Sequence, residues 1–85
     1  MTTRTALIID GTSGVGLAAA RQLLARGVTV HVAGRGRERL DALTATDPDL
    51  FGHQVDATDG DAVRALAAAV APIDHLIITL SGSGG

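Results

Sequence analysis

The passage that most constrains this chain lies near its start. Four consecutive apolar residues, Ala6, Leu7, Ile8 and Ile9, lead through Asp10 into Gly11-Thr12-Ser13-Gly14-Val15-Gly16, and an alanine- and leucine-rich stretch follows as far as Arg26. A short apolar run without alternation suits a strand covered on both faces. Glycines directly after it allow the backbone to turn sharply, and the alanines and leucines beyond favour helix. Strand, tight turn and helix in this order leave few solutions. The strand needs a parallel sheet with layers on both sides, and the helix is the crossover to the next strand.

The remaining chain repeats the unit. Thr5 to Asp10 reads as the first strand and Val15 to Arg26 as the first helix, with Gly27 where a C-terminal cap is wanted. Val28 to Ala33, with three valines, reads as the second strand, broken by Gly34 and Gly36. Arg37 to Ala45 reads as a charged helix that buries Leu40 and Leu43, ended by Asp47-Pro48-Asp49. Leu50 to Val55 is a weaker third strand. Thr58-Asp59-Gly60-Asp61 resembles a capping box, with Thr58 as the cap and Asp61 reaching back. The helix it opens carries Val63, Leu66, Ala67 and Val70 at i, i+3, i+4 and i+7, and Pro72 follows its end. Asp74 to Leu80 reads as the fourth strand. The order β-α-β-α-β-α-β, joined by right-handed crossovers, is an α/β doubly wound parallel sheet. Residues 1–80 form one domain on this reading, and residues 81–85 are a Gly/Ser tail or the start of the next loop.

Composition narrows the function classes. At 85 residues there is room for one domain and a modest core. With 46% hydrophobic and 19% charged residues the chain is not of the disordered type. A net charge of -2 and a single aromatic, Phe51, argue against a nucleic-acid partner. The absence of cysteine excludes disulfides and thiolate metal sites and fits a reducing compartment. No basic start precedes a long apolar run, and no apolar stretch approaches a membrane span, so the expectation is a cytoplasmic protein without a membrane partner. His31, His53 and His75 fall on strands without metal-site spacing and read as ordinary strand residues.

Three places carry chemistry. The first is Gly11 to Gly16. A glycine-rich turn between a strand and a helix lets the backbone approach a pyrophosphate closely, and the helix N-terminus offers free N–H groups and a partial positive charge. Thr12 and Ser13 add hydroxyl donors. The plainer alternative is a tight turn with no ligand. The second is Arg35. In dinucleotide folds an acid at the end of the second strand binds the ribose 2′-OH, whereas an arginine there accommodates a 2′-phosphate. Here Gly34-Arg35-Gly36-Arg37 fills the position, Arg39 lies close behind, and no acid occurs before Glu38. A guanidinium is a fork-shaped phosphate donor; the alternative is a solvated basic helix start. The third is Asp56-Ala57-Thr58-Asp59, where a carboxylate can accept from an adenine amino group or simply cap the next helix.

Together these residues resemble the short-chain dehydrogenase/reductase family. IIDGTSGVGLAAARQLLARG looks like that family's cofactor loop and first helix. VAGR looks like the strand end of its NADP-preferring members, VDATD like its adenine-contact motif, and DHLIITLSG like its fourth strand. The resemblance implies a Rossmann-type fold, here the N-terminal, cofactor-binding half truncated after strand four. It implies NADP(H) as the preferred cofactor, with NAD(H) second, held by Gly11, Thr12, Ser13, Gly14, Val15, Gly16, Arg35, Asp56 and Ala57. It also implies a parent that moves a hydride between the nicotinamide and a carbonyl or alcohol. A small-molecule substrate and any homo-oligomer would belong to that full-length parent.

The sequence departs from the family's pattern at two places. Asp10 stands where the first glycine of the family's loop usually falls, and Thr79-Leu80-Ser81 replaces its asparagine-rich motif. The family's catalysis uses a serine, a tyrosine and a lysine, and this chain contains no tyrosine and no lysine. No catalytic residue is therefore assigned. The competing expectations are a non-catalytic nucleotide-binding or redox-sensing module, and an inactive truncated product. Strand four, as an unpaired edge, would make the latter prone to aggregation.

Overall fold

A computed structural model describes residues 4–9 and 14–78, the side chains of residues 14 and 15 excepted. Its elements are β1 (Thr5–Ile9), α1 (Gly14–Ala25), β2 (Thr29–Gly34), α2 (Arg37–Thr46), β3 (Phe51–Gln54), α3 (Gly60–Val70) and β4 (His75–Ile78). The four strands form one parallel sheet in the order β3-β2-β1-β4. This is the Rossmann-type arrangement expected from the alternation of elements. Most predicted boundaries move by one residue, as helix and strand ends commonly do. Gly34 closes β2 instead of breaking it, and Leu50 and Val55 flank a β3 shorter than expected. Asp10 and Leu80, expected as strand ends, lie outside the described residues.

The strand sequences explain the layering. β1 is apolar throughout because both of its faces are covered. Ala6 and Ile8 join Val30 and Val32 in a core that takes Ala20 from α1 and Leu40 and Leu43 from α2. Leu7 and Ile9 point the other way and join Ala33 under Leu66 of α3. The face predicted for α3 is the one that packs: Val63, Ala67 and Val70 lie against this second core. Leu40 and Leu43 are likewise the buried residues of α2.

Local chemistry ends the elements. Gly27 closes α1 with φ +81, a left-handed conformation that glycine adopts without steric cost. Asp74 holds the start of β4 to β1, its carboxylate accepting from the Thr5 amide at 2.8 Å while its own amide donates to the Thr5 carbonyl at 2.8 Å. The cap of α3 departs from expectation. Asp59, not Thr58, is the N-cap, and its Oδ1 accepts from the Ala62 amide at 3.2 Å. The Thr58 hydroxyl is already committed to Asp56, and Asp61 sits exposed beside Arg64 at 3.8 Å. The capping box therefore gives way to a one-residue Asp cap preceded by an Asx turn.

Candidate functional site

Because all four strands are parallel, their carboxyl ends share one edge. Register places Ile9 beside Ala33 of β2 and Ile78 of β4, and Ala33 beside His53 of β3. The chain leaves β1 for α1 on one face and returns from α3 to β4 on the opposite side of β1. The β1–β4 boundary is thus a topological switch point, the place where open α/β sheets receive ligands outside the carboxyl ends of their strands.

Each sequence-predicted residue can be placed against that edge. Gly11, Thr12 and Ser13 lie outside the described residues, as does Asp10. Gly14 is the first residue of α1, Val15 follows it, and Gly16 is buried in the first turn. A buried glycine there keeps the start of the helix close to the sheet. Arg35 follows β2 directly and is exposed, as are Arg37 and Arg39. Asp56 and Ala57 follow β3, with Ala57 exposed. The start of α1, Arg35 and the Asp56 turn are therefore gathered on one rim, although 14, 35 and 56 are far apart in sequence.

The geometry resolves part of the ambiguity about Asp56. Its Oδ1 accepts from both the Thr58 amide at 2.9 Å and the Thr58 hydroxyl at 2.7 Å. Asp59 caps α3, so Asp56 does not. Those two hydrogen bonds, with a smaller contribution from the Arg35 guanidinium, hold the Asp56 carboxyl below its ordinary range. It is a fixed carboxylate acceptor at the rim.

The backbone around Arg35 is pinned as well. The Gly34 carbonyl accepts from the Val55 amide at 2.9 Å, and the Gly36 carbonyl from the Leu40 amide at 3.0 Å. The carbonyl of Arg35 itself accepts from Gln54 Nε2 at 3.2 Å. A guanidinium carried on fixed backbone and exposed to solvent can offer paired N–H groups to an anionic oxygen.

Residues 4–82 match the short chain dehydrogenase family. The chain belongs to that family. Relatives in several organisms agree. An oxidoreductase of Sarocladium schorii, asL5, is 35% identical over 99% of this chain and 34% of its own length. A variant of the actinorhodin polyketide ketoreductase, solved with NADPH, superposes with a TM-score of 0.83 at 32% identity, over 91% of this chain and 33% of that one. A short-chain oxidoreductase of Pseudomonas aeruginosa with an atypical catalytic centre, in its apo form, is 38% identical with a TM-score of 0.66, over 78% of this chain and 28% of that one. The chain thus spans about a third of the length of these short-chain dehydrogenase relatives.

Two side-chain arrangements of this short-chain dehydrogenase chain were not legible in the sequence. One is the contact of Gln54 with the Arg35 turn. The other is His31, whose Nδ1 lies 2.9 Å from Nε2 of His53 in a hydrogen bond, with Phe51 stacked on the His31 ring at a centroid distance of 5.0 Å. Burial, and for His31 also its neighbour His53, lowers both imidazole pKa values from the ordinary 6.5. The signal that would have exposed the pair is the β2–β3 register, which sets His31 opposite Phe51 and Ala33 opposite His53. Among the described residues no group of three or more His, Cys, Asp or Glu converges as a metal site, and no helix is long and apolar enough to cross a membrane.

Proposed function

We propose that this chain is the cofactor-holding part of an NADP(H)-dependent oxidoreductase. Gly11 to Gly16 and the N-terminus of α1 would hold the pyrophosphate, Arg35 the 2′-phosphate, and Asp56 with Ala57 the adenine. The observation that carries the reading is the exposed Arg35 on a pinned turn at the carboxyl end of β2, with no acid following it along the chain before Glu38. An acid at that strand end would select the unphosphorylated ribose by accepting from its 2′-OH. A guanidinium has no acceptor to offer that hydroxyl and is attracted to a dianionic phosphate. Asp56 supports the same reading, because a carboxylate held ionised can accept from an exocyclic amine.

The dinucleotide, when bound, supplies a hydride to a carbonyl carbon or takes one from an alcohol carbon. The residues of this chain bind and orient the adenosine end of that group. The proton that must accompany the hydride is not moved by any tyrosine or lysine of these 85 residues, since there are none. The carbonyl or alcohol substrate is proposed for the whole protein on family grounds.

Titrating the chain with NADPH and NADH tests the reading directly. Tighter binding of NADPH is expected. In Arg35→Asp, NADPH affinity falls about 10- to 150-fold, the worth of a charge-assisted hydrogen bond, while NADH affinity holds or improves. An unchanged NADPH/NADH ratio removes Arg35 from the site.

A further inference from the structure

We propose that Gln54 is a positioning residue for the 2′-phosphate arm, setting the discrimination between phosphorylated and unphosphorylated adenosine ribose without touching the ligand. The inference rests on the reading of Arg35 given above. Gln54 is the last residue of β3 and pairs with Gly34, the last residue of β2. Its Nε2 donates to the Arg35 carbonyl at 3.2 Å, and its Oε1 accepts from Arg37 Nη1 at 3.4 Å. These two contacts also fix the orientation of the amide. Only the NH₂ group can donate to a carbonyl, and only the oxygen can accept from a guanidinium.

Three consecutive carbonyls, those of Gly34, Arg35 and Gly36, are thereby held. The first and third have main-chain donors, from Val55 and Leu40. The middle one depends on the Gln54 side chain. Remove it and the peptide between Arg35 and Gly36 is free to rotate, and Gly36, without a Cβ, resists that rotation least of all residues. The same amide keeps Arg37 turned toward β3, so the first two arginines after β2 are set by one side chain. The platform beneath is closely packed. A Cβ placed on Gly52, two residues earlier on the same face of β3, would lie 3.2 Å from Thr44 Cγ2 and 3.7 Å from Leu40 Cδ2. α2 therefore sits close on β3 and carries Arg37 over Gln54.

The test uses the whole chain with 2′,5′-ADP and 5′-AMP as probes, which differ only in the 2′-phosphate. Gln54→Met keeps the length and bulk of the side chain and removes both polar contacts. It should weaken 2′,5′-ADP binding about 2- to 10-fold, the range of a net hydrogen bond, leaving 5′-AMP binding and the thermal midpoint unchanged. Gln54→Glu keeps an acceptor for Arg37, loses the donor to Arg35 and adds a negative charge, so its loss of 2′,5′-ADP affinity should be larger than that of Gln54→Met. A merely structural role would lower the midpoint and weaken both probes together, and that result overturns the proposal. So does a wild-type preference for 2′,5′-ADP that both variants retain in full. If the wild type binds the two probes equally, the reading of Arg35 fails first and this inference with it.

Discussion

On the face of the sheet that carries α1 and α2, Ala6, Ile8, Val30 and Val32 are fully buried and Ile77 packs against them. On the face that carries α3, Leu7, Ile9 and Ala33 are buried just as deeply, but the flanks are open. Phe51 on β3 is 54% exposed, and Leu76 and Ile78 on β4 are 56% and 54% exposed. Among the described residues, two helices lie over one face, whereas α3 alone lies over the other. The strand sequences do not record this difference. Leu76, Ile77 and Ile78 are as apolar as the middle of β1, and only Ile77 faces the covered side. The open flanks form the kind of apolar surface that takes part in further contacts or in aggregation.

The largest effect should come from cutting into the two cores unequally. Ile8→Ala leaves a cavity in a fully buried site and is expected to cost about 2–5 kcal/mol. Leu76→Ala, at a half-exposed site, should cost less than about 1.5 kcal/mol. Urea denaturation measures both, and equal costs would mean that the α3 face is as closed as the other.

A smaller effect concerns how α3 is anchored. Asp59→Ala removes the α3 cap and should cost about 0.5–2 kcal/mol. Thr58→Ala should leave the start of α3 intact and loosen only the Asp56 turn. The reverse ranking in thermal denaturation would restore Thr58 as the cap.

The smallest effect is pH-dependent and belongs to the flank of β3. The folded chain holds His31 and His53 below the 6.5 of an unfolded imidazole. The folded state then binds fewer protons than the unfolded state just below pH 6.5. Their contribution to stability is present in full above that pH and is lost as pH falls through the lowered folded values. A thermal midpoint that declines between pH 7 and pH 5, with a shallower decline in His53→Asn, is the expected result. A midpoint that rises on acidification would contradict it. The Asp56 turn weakens in a separate window, because a carboxyl with a lowered folded pKa loses its contribution only as pH falls below 3.8.

The sequence by itself determined the element order, the glycine that ends α1, the inward residues of α2 and α3, and the residue types at the strand ends. These depend on periodicity and on backbone preferences of single residues, and such information is local. The placement of Arg35 and Asp56 on one rim also followed from order alone, since parallel strands must present their carboxyl ends together. Tertiary structure decided the rest. Whether Asp59 or Thr58 caps α3 depended on Asp56 having already engaged the Thr58 hydroxyl. The contact between His31 and His53, and the hold of Gln54 on the Arg35 carbonyl, required the β2–β3 register, which brings together residues 22 and 19 positions apart. The exposure of Leu76 and Ile78 depended on which strands the described helices cover. A pattern of apolar residues says which side chains can be buried; the layers that assemble over them decide which ones are.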